Sequence, residues 1–129
     1  MKIYKRPINV GITDLLVFRF PITAISSISH RIAGVALFLG LSVMLFALQK
    51  SLQSEEGFNF IKDMLGSPLG LFIFVGLMVP LVFHFVAGFK HLIMDLGFGE
   101  TFESGALAAK LVFAISALII CLIMIWLLL

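Results

Sequence analysis

His84 and His91 stand seven positions apart in the stretch HFVAGFKHLIMD, which closes a long apolar run and ends in charge. On a helix that spacing is about two turns, so the imidazoles share a face within roughly 20° and lie about 10 Å apart along the axis. Gly88 falls between them on that face, and its missing side chain would let a large flat ligand or a second helix approach the backbone. Neutral imidazole is a standard iron ligand, and bis-imidazole ligation suits electron transfer better than oxygen binding. A haem lying along this face could take His84, the deeper of the two, as an axial ligand. Its propionates would then point to the cationic end, toward His91 and Lys90. A histidine in a membrane helix can equally do no more than hydrogen-bond to a neighbouring helix. Residue type alone leaves both readings open.

A second polar group stands upstream, Ser26-Ser27-Ile28-Ser29-His30-Arg31. Taken singly, Arg31 can snorkel to lipid headgroups, Ser27 and Ser29 can bond back to their own helix, and His30 can be an ordinary interfacial residue. Asp95, just past His91, reads first as a loop carboxylate, with a role in holding His91 or delivering protons as the alternative.

These groups need a scaffold, and composition says which. Of 129 residues, 61% are hydrophobic and 12% charged, with a mean hydropathy of +1.18. A water-soluble domain carries about 25% charged residues, so lipid is the solvent that this composition requires. The length suits one domain, residues 1–129, with no room for a soluble catalytic domain. Cys121 is the only cysteine, which excludes a disulfide framework and a thiolate metal site. The net charge of +2 is too small to suggest nucleic acid. The first thirty residues lack the order of basic head, apolar core and cleavage site expected of a signal peptide.

Residues 1–21 mix Lys2, Lys5, Arg6 and Arg19 with Pro7, Gly11 and Pro21, and read as a surface segment rather than one helix. Three spans follow, at about residues 23–49, 66–90 and 108–129. The uncharged run 32–49 nearly crosses a hydrocarbon core of about 30 Å, and residues 23–31 supply the remaining length. Polar connections are expected at 50–63 and 90–110. Pro80, inside the second span, predicts a bend near residues 76–80. Gly66 and Gly70 form a Gly-x-x-x-Gly pair that straddles a span boundary and is weak as a helix-pairing signal. The architecture expected is all-α: an integral membrane protein with three transmembrane helices in an up-down-up bundle. Lys2, Lys5, Arg6, Arg19, Arg31, Lys90 and Lys110 fall on one side, and only Lys50 and Lys62 on the other. That asymmetry predicts a cytoplasmic N-terminus. It also brings residues 27–31 and 84–91 to one side of the membrane, where they can form one site.

At Ser27-x-x-His30-Arg31 and His84-x-x-x-Gly88-Phe89-Lys90-His91-x-x-x-Asp95 the chain resembles the cytochrome b556 subunits of succinate dehydrogenase. The likeness extends over nearly the whole chain, from Arg6-Pro7 to the acidic connection with Glu100 and Glu103. The resemblance implies a bacterial inner-membrane anchor that carries haem b and helps form a ubiquinone-reduction site. It implies docking of an iron–sulfur subunit and a flavoprotein subunit on the cytoplasmic face. His84 matches the axial haem histidine, with the other ligand supplied by a second membrane-anchor subunit. His30, Arg31 and His91 match positions near the haem propionates, and Ser27 and Arg31 match the quinone pocket. Lys90 departs from the arginine usual in the family, keeping charge without bidentate geometry. Ala33 replaces the usual Ser or Thr before Gly34.

The expected function is therefore the anchor role in succinate:ubiquinone oxidoreductase, within the tricarboxylic acid cycle and aerobic electron transport, with no activity toward succinate alone. The alternatives are a haem-free tether for a peripheral enzyme and the anchor of a fumarate reductase. A small transporter subunit ranks below these, because the third span has no ionisable group. One deep histidine cannot supply two axial ligands, which points to a partner chain.

Overall fold

The computed structural model describes Gly11 and residues 17–129. The expectations for Lys2, Lys5, Arg6, Pro7 and most of the N-terminal segment lie outside the described residues. Four helices follow one another, α1 (Ile22–Gln53), α2 (Glu55–Leu65), α3 (Pro68–Asp95) and α4 (Phe102–Leu128), with no strand among the described residues. α1, α3 and α4 are long and apolar enough to cross a membrane. They extend past the apolar runs that define the spans, and at α3 and α4 capping groups rather than hydropathy mark the helix ends. α4 starts where the Thr101 hydroxyl accepts from the Ser104 N–H at 3.2 Å. α3 ends in a Schellman turn: the Gly97 N–H donates to the Met94 carbonyl at 2.8 Å and the Phe98 N–H to Ile93 at 3.3 Å. Gly97 takes φ 85° there, which an L side chain resists. The connection expected at 90–110 shrinks to six residues, 96–101.

The stretch expected as a polar connection at 50–63 is mostly helix. The Ser54 hydroxyl caps α2 by accepting from the Gly57 N–H at 3.0 Å, and Glu55 and Glu56 sit in its first turn, where the helix dipole favours anions. Gly57 and Ile61 are buried against the bundle, while Phe58 and Phe60 remain exposed. α2 then turns sharply into α3, with Pro68 in its first turn and Ser67 capping Gly70. A Cβ on Gly70 would overlap the Met64 carbonyl oxygen and the Leu65 Cα. Gly70 thus serves a corner rather than a helix pair. Gly70→Ala is expected to cost about 1–3 kcal/mol, because backbone cannot move aside as a flexible side chain can. Gly66→Ala, whose nearest atoms would lie at 3.5 and 3.6 Å, is the near-neutral comparison. Thermal unfolding of the two variants in detergent checks this.

The three long helices pack through small residues. Ser26, Ala33 and Gly40 form the buried seam of α1 at seven-residue spacing, and Gly105, Ala109, Val112 and Ser116 that of α4. Among the described residues no large side chain is fully buried, whereas Phe38, Phe72, Phe85 and Trp126 point outward at 73–77% exposure. In water this surface would aggregate; in lipid, tails are as apolar as leucine and close backbone packing holds the helices together instead. α3 runs as one helix through Pro80. α1 and α3 are antiparallel, with His30 opposite Gly88, Gly34 opposite His84 and Gly40 opposite Leu77. Phe83 and Phe113, 5.2 Å apart, join α3 to α4. The N-terminal end of α1, the C-terminal end of α3 and the start of α4 therefore share one end of the bundle, and α2 caps the other.

Candidate functional site

The antiparallel α1–α3 pair brings three imidazoles together at the end remote from α2. His30 stacks on His84 with ring centroids 4.1 Å apart and planes at 23°, and meets His91 at 5.3 Å and 36°. His84 is half-buried and His91 exposed, so the two differ in depth as their spacing predicts. The His84 ring is anchored by a bond from Nδ1 to the backbone carbonyl of His30 at 3.1 Å. A carbonyl oxygen only accepts, so in the neutral imidazole Nδ1 carries the proton and Nε2 keeps its lone pair. The Nε2 atom of His30 is buried without a partner among the described residues, 3.7 Å from where a Cβ on Gly88 would stand.

This donor set has a definite chemical meaning. No group of three His, Cys, Asp or Glu side chains among the described residues is arranged to hold a bare metal ion. One imidazole with a free Nε2 and a protein-held Nδ1–H is instead the arrangement that a metal-ligating histidine adopts. It fits one axial position of a macrocycle that brings its own in-plane donors. The residues thus fit a haem, which His84 could ligate through Nε2.

The other predicted residues stand around this core. Ser27 is half-buried and Arg31 exposed, one turn apart on α1. Arg31 borders a shallow groove with Ile32, Val35 and Leu39. Lys90 turns toward α4, lining a cavity of about 320 Å³ with Val86, Ile93, Phe98 and Leu111. Asp95 is exposed as the last residue of α3. Two serines escape the sequence reading. Ser26, rather than Ser27, is the buried hydroxyl of α1 at 3% exposure. Its spacing from Ala33 and Gly40 was the available signal. Ser116, 2% exposed and with Oγ unpartnered among the described residues, faces a cavity of about 410 Å³ with Ser29, Pro80, Phe83 and Phe113.

Three apolar membrane-length helices, with three imidazoles clustered at one end, define a multi-pass α-helical membrane protein. The family model described as succinate dehydrogenase/fumarate reductase transmembrane subunit matches residues 2–125. The succinate dehydrogenase cytochrome b556 subunit of Coxiella burnetii is 40% identical over 124 residues, covering 95% of this chain and 96% of the relative. That of Paracoccus denitrificans is 34% identical over 112 residues, covering 82% and 86%. The mitochondrial cytochrome b560 subunit of Sus scrofa is 36% identical over 98 residues, covering 74% of this chain and 56% of the relative. The chain belongs to the succinate dehydrogenase/fumarate reductase transmembrane subunit family.

Proposed function

We propose that this chain is the haem b-bearing membrane anchor of succinate:ubiquinone oxidoreductase in a bacterial inner membrane. The observation that carries the reading is the 3.1 Å bond from His84 Nδ1 to the His30 carbonyl, which leaves Nε2 available to iron. The relatives' names, cytochrome b556 and b560 subunits of succinate dehydrogenase, support the same cofactor and enzyme. When bound, the haem would supply a one-electron carrier. In this reading His84 presents Nε2 as one axial ligand, and a second membrane-anchor subunit presents the other. His91 and Arg31, both exposed at the same end, offer charge to the propionates, and the unpartnered Nε2 of His30 offers a further polar contact.

Ubiquinone is the substrate of the neighbouring α1 surface. Ser27 donates a hydrogen bond to a quinone carbonyl, and Arg31 stabilises the negative charge that develops as the ring is reduced. Arg19, Arg31, Lys90 and Lys110 lie at the histidine end, and Lys50 and Lys62 at the α2 end. That distribution supports a cytoplasmic N-terminus, with protons drawn from the side on which the iron–sulfur and flavoprotein subunits dock.

The test is to purify the tagged chain from its own membranes in mild detergent. The iron–sulfur and flavoprotein chains are expected to co-purify, with a low-spin b-type band in the reduced-minus-oxidised spectrum. Co-purification without that band would leave a haem-free tether.

A further inference from the structure

We infer that Gly34 is a positioning residue for the iron ligand: its missing side chain bares the His30 carbonyl so that His84 Nδ1–H can bond to it. This rests on the reading of His84 as axial ligand. In an α-helix every Cβ tilts toward the N-terminus, so a side chain at i+4 lies over the carbonyl of residue i. Gly34 is residue i+4 to His30, so a side chain there would stand over that oxygen on the side facing His84. A Cβ at Gly34 would stand 3.0 Å from His84 Cε1 and 3.4 Å from Nδ1. The tighter of these is closer than carbon atoms normally approach, and the imidazole cannot retreat freely because the His30 ring stacks on it at 4.1 Å. The ring would tilt away from the carbonyl.

The carbonyl's second lone pair makes the arrangement possible within an intact helix, since one C=O can accept from its own helix and from His84 together. An N–H held by an acceptor makes the imidazole a stronger electron donor at Nε2. Stronger donation favours ferric over ferrous iron and lowers the midpoint potential. Gly34 would thus act on the haem through the basicity and orientation of His84.

The experiment uses the complete detergent-solubilised complex and compares Gly34→Ala, Gly76→Ala and His84→Ala with the unaltered protein. Gly76 is the control for a glycine-to-alanine change in a membrane helix, since a Cβ there meets nothing within 4 Å. Gly34→Ala is expected to retain haem with an altered low-spin EPR spectrum. Its ferric-to-ferrous affinity ratio should fall roughly tenfold, which raises the midpoint potential by about 59 mV for one electron. Gly76→Ala should match the unaltered protein in both readouts. Should Gly34→Ala fail to assemble, the unaltered complex decides: proton ENDOR after deuterium exchange should reveal an exchangeable, hydrogen-bonded Nδ1 proton on the ligand. Its absence, or an assembled Gly34→Ala complex with native potential and EPR, would overturn the inference while His84 remains the ligand. A native low-spin signal in His84→Ala would instead remove the ligand reading, and this inference with it.

Discussion

Replacing His84 by alanine is expected to remove the low-spin b-type signal from the complex, or to shift it to a high-spin or differently ligated form. The expectation follows from the donor set. His84 alone among the three clustered histidines has its Nδ1 held by a backbone carbonyl. Its Nε2 is thus both unprotonated and oriented, which is what iron requires. His30 is stacked over the His84 ring, and His91 is exposed at the mouth, so neither can take over at the same depth without moving a helix. Loss of one of two axial ligands changes spin state, which optical and EPR spectroscopy read directly. Phe85→Ala, on the adjacent outward-facing position at 73% exposure, should leave the spectrum unchanged. A His84→Ala complex with a native spectrum would exclude His84 as the ligand.

Arg31→Leu should lower quinone reduction by about two orders of magnitude, the scale of removing a charged donor from a developing anion. Ser27→Ala should lower it by roughly tenfold, the scale of one neutral hydrogen bond. In both variants succinate oxidation with an artificial electron acceptor should persist, because the proposed function gives this chain no part in the dicarboxylate chemistry. The readout is therefore a ratio of two activities measured on one preparation. Reduced assembly lowers both activities together; a quinone-site defect lowers only one. Arg31→Lys, which keeps charge but loses the planar fork, should fall between Arg31→Leu and the native protein. Near-native quinone reduction in both Ser27→Ala and Arg31→Leu would remove these residues from the quinone site.

The helical membrane class was legible because it is a statement about solvent. A chain that is 61% hydrophobic and 12% charged cannot cover itself with polar surface, and long uncharged runs have only one common use. The shared face of His84 and His91 was legible for a similar reason, since helical periodicity is local. Where helices end was less so. Hydropathy marks the edge of the hydrocarbon, whereas backbone N–H bonds accepted by the Ser54, Ser67 and Thr101 hydroxyls mark the start of helices. α2 was read as connection because its apolar residues are few and interleaved with Glu55, Glu56, Lys62 and Asp63. Its cap and dipole-matched charges were the signal that outweighed them.

By itself, the sequence determined that the chain is a bundle of apolar helices and that imidazoles lie at two depths. It also determined that basic charge gathers toward one end, because solvent preference, helical period and charge count need no knowledge of neighbours. Only the tertiary structure decided which histidine ring is held by a backbone carbonyl. The bond from His84 to the His30 carbonyl joins residues 54 positions apart. It exists because small residues let α1 and α3 approach until a side chain of one reaches the backbone of the other. Side-chain periodicity carries no record of a bared carbonyl, so Gly34 and the orientation of His84 became visible only when the two helices were brought together.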